Sequence, residues 1–249
     1  MGTVVLKLGG SLITDKRRPF TLRRDTLERV STAVAEAAQR HRVVLVHGGG
    51  SYGHYAVQRA GGLAQKLVTD VSYWMTVLNV EVVSALLRAG ALAAGLPTWA
   101  VAHRSAGRLR LNSRIIEGLL ELNVVPVTHG GLIATDEGTF EILSGDTLAA
   151  ELAIELPASA LIYLMDADGV YTDDPRLNPG AELIRVLRRE DVDRVRGGSA
   201  GVDVTGGLAL KLREAFRAAE RGVRVALGGL ESLRSMLEGV EGRYTTVVA

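Results

Sequence analysis

The sequence predicts an α/β protein built on a mainly parallel sheet with helices on both faces. Three observations carry this. Short aliphatic runs alternate with segments of helical periodicity along the 249 residues. The run at 43–46 is apolar throughout and the run at 3–8 alternates poorly, as strands buried on both faces do. Both runs end in glycine-rich turns, and sheets of this class bind ligands beyond the carboxyl ends of their strands.

Taken in order, residues 3–8 form the first strand, ending at Gly9-Gly10-Ser11. Residues 12–20 form a polar, basic loop containing Thr14-Asp15-Lys16-Arg17-Arg18-Pro19. Residues 21–40 read as a helix, with Leu27, Val30, Val34, Ala37 and Ala38 on one face. The 43–46 strand leads into His47-Gly48-Gly49-Gly50-Ser51-Tyr52-Gly53-His54, and Tyr55 to Ala60 has a weak helical pattern. Asp70 is expected to cap a helix running to about Ala94, stopped by Gly95 and Pro97. Thr98 to Ala102 is expected as a short strand. Asn112 or Ser113 caps a helix through Leu120, and Val124 to Thr128 is another strand.

Leu132-Ile133-Ala134 and Phe140-Glu141-Ile142-Leu143 flank Asp136-Glu137-Gly138 as a hairpin. A helix from about Asp146 to Leu156 stops at Pro157, and a strand runs from Ala160 to Met165. Residues 171–207 are irregular, with charged helical turns near 188–196. A helix from about Leu208 to Arg221 and strands at 223–227 and 244–248 complete the chain. No linker marks a boundary, so one domain spanning 1–249 is expected.

Composition excludes several classes. Hydrophobic residues make up 47% and charged residues 23%, enough for an ample core. The net charge of +1 points to neither nucleic acid nor a membrane surface. The absence of cysteine excludes disulfides, thiolate zinc sites and a cysteine nucleophile. The most apolar region, Ala85 to Ala102, is interrupted by Arg88, Gly95 and Pro97, so no membrane span is expected. No signal-peptide pattern precedes the first strand, and a soluble cytoplasmic protein is expected. Lys7, Lys16, Lys66 and Lys211 are the lysines in a chain whose other basic residues are arginine. That bias reflects a GC-rich genome or a hot habitat, and it makes a retained lysine suspect for a task needing a compact ammonium.

Several stretches carry chemistry. The glycine triplet after the 43–46 strand exceeds what a tight turn needs, and it suits an anion. Lys7 lies in an apolar strand just before Gly9 and Gly10, where an ammonium is costly unless paired or functional. In Ser144-Gly145-Asp146 a plain helix cap and a functional carboxylate stand even. Asp166 ends a strand ahead of the Asp168-Gly169 turn. Asp203-Val204-Thr205-Gly206-Gly207 precedes the helix carrying Lys211, which taken alone could equally be a solvated lysine. There is no GxxxxGK[ST], no GxGxxG with a ribose acid, no metal-ligand cluster and no GxSxG elbow. His41, His103 and His129 have no partners by spacing and read as structural or surface residues. Lysines and oriented N–H groups around one crevice are what phosphoryl transfer requires, with Mg2+ arriving on the nucleotide.

These same stretches, Lys7 to Ser11, His47 to His54, Ser144 to Asp146, Asp166 to Tyr171 and Asp203 to Gly207 with Lys211, resemble the amino acid kinase superfamily over nearly the whole chain. Within it, His54 and Thr14-Asp15-Lys16-Arg17-Arg18-Pro19-Phe20 resemble the isopentenyl phosphate kinases. The resemblance implies a three-layer α/β/α fold, a homodimer, and transfer of the ATP γ-phosphate to isopentenyl phosphate for isoprenoid synthesis. It implies an acceptor lobe of about 1–157 and a nucleotide lobe of about 158–249. By position, Lys7, Lys16 and Lys211 would stabilise phosphate charge, and Asp146 would orient Lys7 and Lys211. Gly49, His54 and Gly145 would hold the acceptor phosphate, with Gly9, Gly10, Ser11, Gly50, Asp166 and Gly207 on ATP. No resident metal is implied. Met75, Leu78, Val82, Ile133 and Ile142 would line the isoprenyl tail. The sequence departs from the family at Thr128-His129-Gly130-Gly131, where Tyr-Gly-Asp is usual, and at Tyr244-Thr245-Thr246, where Gly-Thr is usual. The alternatives are a phosphonate kinase of the fosfomycin type, an amino acid or carbamate kinase, and a non-catalytic nucleotide sensor.

Overall fold

A computed structural model describes residues 1–62, 64–195 and 207–249. In chain order the elements are β1 (Thr3–Leu8), α1 (Gly10–Ile13), α2 (Arg24–Ala38), β2 (Arg42–His47), α3 (Gly50–Ala60) and α4 (Ala64–Arg88). Then come β3 (Ala93–Gly95), α5 (Thr98–Val101), β4 (Ala102–Ser105), β5 (Arg108–Leu111), α6 (Ser113–Glu121) and β6 (Val125–His129). They are followed by β7 (Gly131–Ala134), β8 (Phe140–Leu143), α7 (Gly145–Glu155), β9 (Ala160–Leu164) and β10 (Val186–Leu187). A 3-10 helix (Arg189–Arg194), α8 (Ala209–Ala219), β11 (Arg224–Gly228), α9 (Leu233–Glu238) and β12 (Tyr244–Val247) complete the described chain.

Eight strands form one sheet in the order β10-β12-β11-β9-β1-β2-β6-β3. Neighbours are parallel except β11 and β12, so β12 and β10 run against the rest. β1 lies at the centre, in register with both β2 and β9. Side chains alternate across a strand, and β1 shows it. Val4, Leu6 and Leu8 join the core under α2, α3, α4 and α9. Val5 joins the core under α6, α7 and α8. The result is a mixed α/β fold of three layers, α/β/α, with a mainly parallel central sheet. Lys7 projects to the same side as Val5, toward α7.

Four expectations need correction. The long helix starts at Ala64, so Asp70 lies inside it rather than capping it, paired with Arg59 at 3.6 Å. That helix ends at Arg88, and the edge strand is Ala93–Gly95, not Thr98–Ala102. Thr98–Val101 is instead one helical turn begun by Pro97, whose fixed φ suits a helix start. Leu78, Val82 and Ile133 are fully buried in the two cores, and so are not ligand-facing. The spacing of Leu78 and Val82 marks the face of α4 that packs on the sheet, and Ile133 lies in β7. Two elements had no strong signal: the β4–β5 hairpin, turning at Ala106 and Gly107 with positive φ, and the two-turn α9. Asp203 to Gly206 lie outside the described residues.

Candidate active site

The site is assembled at the carboxyl ends of β1, β2, β6 and β9. A Cβ at Gly10 would collide with the Gly50 backbone, and a Cβ at Gly130 would collide with the Gly145 backbone. Gly145 in turn meets the His47 carbonyl, 3.2 Å from where its Cβ would lie. Glycine at these positions lets the turns after four strands, β1, β2, β6 and β8, pack backbone to backbone. The N-termini of α1, α3 and α7 are thereby gathered in one place, each presenting N–H groups without intrahelical acceptors. The Gly9 N–H is already committed to the Leu164 carbonyl at 2.9 Å, so Gly9 contributes room rather than a donor.

Beside this junction lies the charged centre. Lys7 Nζ and Lys211 Nζ each sit 2.7 Å from the same oxygen of Asp146. Lys7 comes from the central strand, Asp146 from the first turn of α7 and Lys211 from α8. The Ser144 hydroxyl caps α7 by accepting from the Asp146 N–H at 3.1 Å, and the Asp146 carboxylate also bridges the two lysines. All three charged groups are nearly enclosed. Burial pushes Lys211 down to about 7, with the Lys7 ammonium adding to it and Asp146 opposing it. Burial works against the Asp146 carboxylate, but the two ammonium groups outweigh it and hold its pKa below the ordinary value. Tyr163 completes the pocket. Its ring lies 4.8 Å below Lys211 Nζ, and its hydroxyl donates to the Asp146 carbonyl at 3.3 Å. The one clue to it in the sequence was a polar-tipped ring in an otherwise aliphatic strand.

Other site residues stand apart from this centre. Lys16 is exposed in the 15–19 loop. His54 is exposed in the second turn of α3, its ring against Tyr55. Asp166 pairs with Arg23 at 3.0 Å beside the turn after β1. Gly207 stands open just before α8, with nothing within 4 Å of a Cβ there. Gly49 packs on Met75, whose sulfur would lie 3.1 Å from a Cβ. Ile142 is half exposed on the β7–β8 hairpin. Ser11 lies in the short turn of α1.

His47 and His129 are both buried at the sheet's end, with rings 5.3 Å apart. Asn79 donates to His47 Nε2 at 3.1 Å, which assigns the His47 proton to Nδ1. Thr98 donates to the His129 carbonyl at 2.7 Å and accepts from its Nδ1 at 3.0 Å. Burial, with His129 adding to it, pushes His47 down to about 3, and burial lowers His129 as well. Both are neutral structural ties between α4, α5 and the strands, as expected for His129. A cavity of about 400 Å³ opens beside them, lined by Thr76, Asn79, Val83, Gly95, Trp99 and His129 among others. None of Lys7, Asp146, Lys211 or the glycine turns after β1 and β2 lines it. Among the described residues no group of three or more His, Asp or Glu could hold a metal ion. No helix of the described residues is long and apolar enough to cross a membrane.

Known proteins are similar to this chain in sequence and in fold. The chain is 33% identical over 236 residues to an isopentenyl phosphate kinase of Methanothermobacter thermautotrophicus, covering 88% of each chain. It is 34% identical over 221 residues to that of Haloferax volcanii, covering 86% of this chain and 87% of the relative. A crystal structure of isopentenyl phosphate kinase superposes with a TM-score of 0.81 at 29% identity, over 99% of this chain and 100% of the other. The model of the amino acid kinase family matches residues 2–228. With two lysines bridged by one helix-borne carboxylate at the mouth of a parallel sheet, and with these relatives, the chain belongs to the amino acid kinase family.

Proposed function

We propose that the chain transfers the γ-phosphate of ATP to the phosphate of isopentenyl phosphate, giving isopentenyl diphosphate for isoprenoid synthesis. The observation that carries this reading is the pair of ammonium groups on one Asp146 oxygen, beside three converging helix N-termini. A transferring phosphoryl group spreads negative charge over its oxygens, and fixed cations and N–H groups stabilise it without reorganising. Asp146 aims Lys7 and Lys211 at the transferring group, and Lys16 adds charge from the loop. A phosphate acceptor has a second pKa of about 6 and is largely ionised near neutrality, so no general base is needed. A histidine donor is what it can use, and His54 stands on the helix that begins at Gly50. Gly49, His54 and Gly145 take the acceptor phosphate. Gly9, Gly10, Ser11, Gly50, Asp166 and Gly207 take the nucleotide. The two sets divide between an acceptor lobe of about 1–157 and a nucleotide lobe of about 158–249.

Asp146 is engaged by its two lysines, and in this reading Mg2+ arrives on the nucleotide phosphates. A homodimer fits the outer face of α4. Tyr73, Val80 and Leu87 are exposed at seven-residue intervals there, next to the edge strand β3. The test is ATP consumption with isopentenyl phosphate, against fosfomycin, glutamate and carbamate. Turnover confined to another acceptor would sink the reading. Replacing His54→Ala is expected to cut turnover strongly and leave ATP binding nearly intact. Loss of ATP binding would move His54 to the nucleotide.

A further inference from the structure

The chain has 3 Phe, 2 Trp and 6 Tyr, and five of these rings meet in one place outside the charged centre. Phe20 stacks on Trp74, with ring centroids 3.7 Å apart and planes 17° apart. The edge of Tyr52 lies 5.9 Å from Phe20, Tyr55 lies 6.2 Å away, and Tyr73 flanks Trp74 at 5.0 Å. Phe20 holds this position at φ +49°, a left-handed conformation uncommon for a bulky side chain. Backbone strain of this kind persists where the surroundings over-determine it. Here the surroundings are the rings of α3 and α4.

Phe20 ends the loop that carries Lys16. The base of that loop is tied to both glycine turns. Thr14 Oγ1 donates to the Gly10 carbonyl at 2.7 Å and accepts from the Ser51 N–H at 2.9 Å. The Thr21 N–H donates to Ser51 Oγ at 3.2 Å, and the Asp15 N–H donates to the Thr21 carbonyl at 2.9 Å. These bonds set a hinge line across residues 14 and 21 but leave the tilt of residues 16–20 about it open. The tip is cationic and exposed. Arg17 is engaged by Asp15 at 3.3 Å, whereas Lys16 and Arg18 make no ion pair with another described residue. Pro19 stiffens the step from the tip to Phe20. Beyond the bonds of its base to Ser51, the loop meets α3 and α4 through the Phe20 ring, which sets its tilt.

We propose that Phe20, stacked on Trp74, is a positioning residue that fixes the tilt of the 15–19 loop and so sets the reach of Lys16 over the phosphate crevice. This rests on the reading of Lys16 as a phosphate-stabilising group. Phe20 touches neither substrate nor the reacting atoms and acts through Lys16.

The experiment is a double-mutant cycle on the full chain, assayed with ATP and isopentenyl phosphate. Phe20→Leu is expected to lower kcat about tenfold, roughly what an aromatic pair of ordinary strength holds in place. The KM for ATP should stay within about twofold, since the Lys7–Asp146–Lys211 centre is untouched. In a Lys16→Ala background Phe20→Leu should cost nothing further, and Phe20→Tyr should retain activity. An equal loss from Phe20→Leu in both backgrounds overturns the proposal, because a merely structural role does not depend on Lys16. If Phe20→Leu does not fold, Phe20→Gly suits the positive φ and removes the same ring. Limited trypsin digestion needs no turnover. Cleavage after Lys16 or Arg17 should quicken about tenfold in Phe20→Leu, and unchanged cleavage overturns the anchor. If the native chain ignores isopentenyl phosphate, the acceptor reading falls while the digestion still decides the anchor.

Discussion

The two lysine-bearing regions of the proposed site are held by opposite means. Lys7 and Lys211 are enclosed, each 2.7 Å from one carboxylate oxygen, and set by a strand and two helices. Lys16 is exposed on a loop whose base is hydrogen-bonded and whose far limb is held by stacked rings. The enclosed pair is preorganised but carries an electrostatic strain, visible in the lowered pKa of Lys211. The exposed lysine is placed by its loop alone. The same residue type is therefore set in two ways, and burial is what separates them.

The comparison predicts unequal consequences for substitution. Asp146→Asn is expected to do most. It leaves two ammonium groups enclosed with no compensating charge, which costs about 3 kcal/mol of stability before Lys211 sheds its proton. Urea denaturation checks this, and a midpoint unchanged from the native chain would show that the lysines are less confined than the structure has them. Lys16→Ala should lower kcat by about 10²-fold, in the range of a lost transition-state donor. Its unfolding midpoint should stay in place, because an exposed side chain with no ion partner supports no fold contact. A joint loss of rate and stability would dissolve the distinction between the two regions.

The smallest effect is a proton. With its pKa lowered to about 7, Lys211 is mostly neutral in the free chain above that pH. Bound phosphates favour the ammonium and raise that pKa, so nucleotide binding at about pH 8 should take up a fraction of a proton. The sign follows from a depressed lysine pKa being restored by an anion. Calorimetry in buffers of different ionisation enthalpy reads the uptake, and Lys211→Met should abolish it. Uptake that survives in Lys211→Met would assign the proton to another group.

Much of this was legible along the chain. The apolar runs marked the strands of the parallel sheet, and the glycine turns marked where the site would form. The odd lysine in β1 announced the charged centre, since an ammonium in a buried strand needs a partner. Leu78 and Val82 are expected at the tail from a 3.6-residue period, which reports an apolar face without saying whether protein or ligand covers it. Leu78 and Val82 lie on the face of α4 that the sheet covers. The Thr98 segment was misjudged because Pro97 can begin a helical turn as readily as it interrupts a strand.

The sequence by itself determined the layers of the fold, the order of its turns and the residue types that face the crevice. These follow from local periodicity, backbone freedom at glycine and the scarcity of lysine. Only the tertiary structure decided which groups meet. Lys211 and Asp146 lie 65 residues apart, and Thr14 and Ser51 lie 37 apart. Their pairing depends on the register of β1 between β2 and β9, and on how α7 and α8 pack across it. The same packing buried His47 and His129 as neutral ties and left Lys16 in water. Burial and charge pairing are sums over neighbours brought in from distant segments, so no local pattern encodes them.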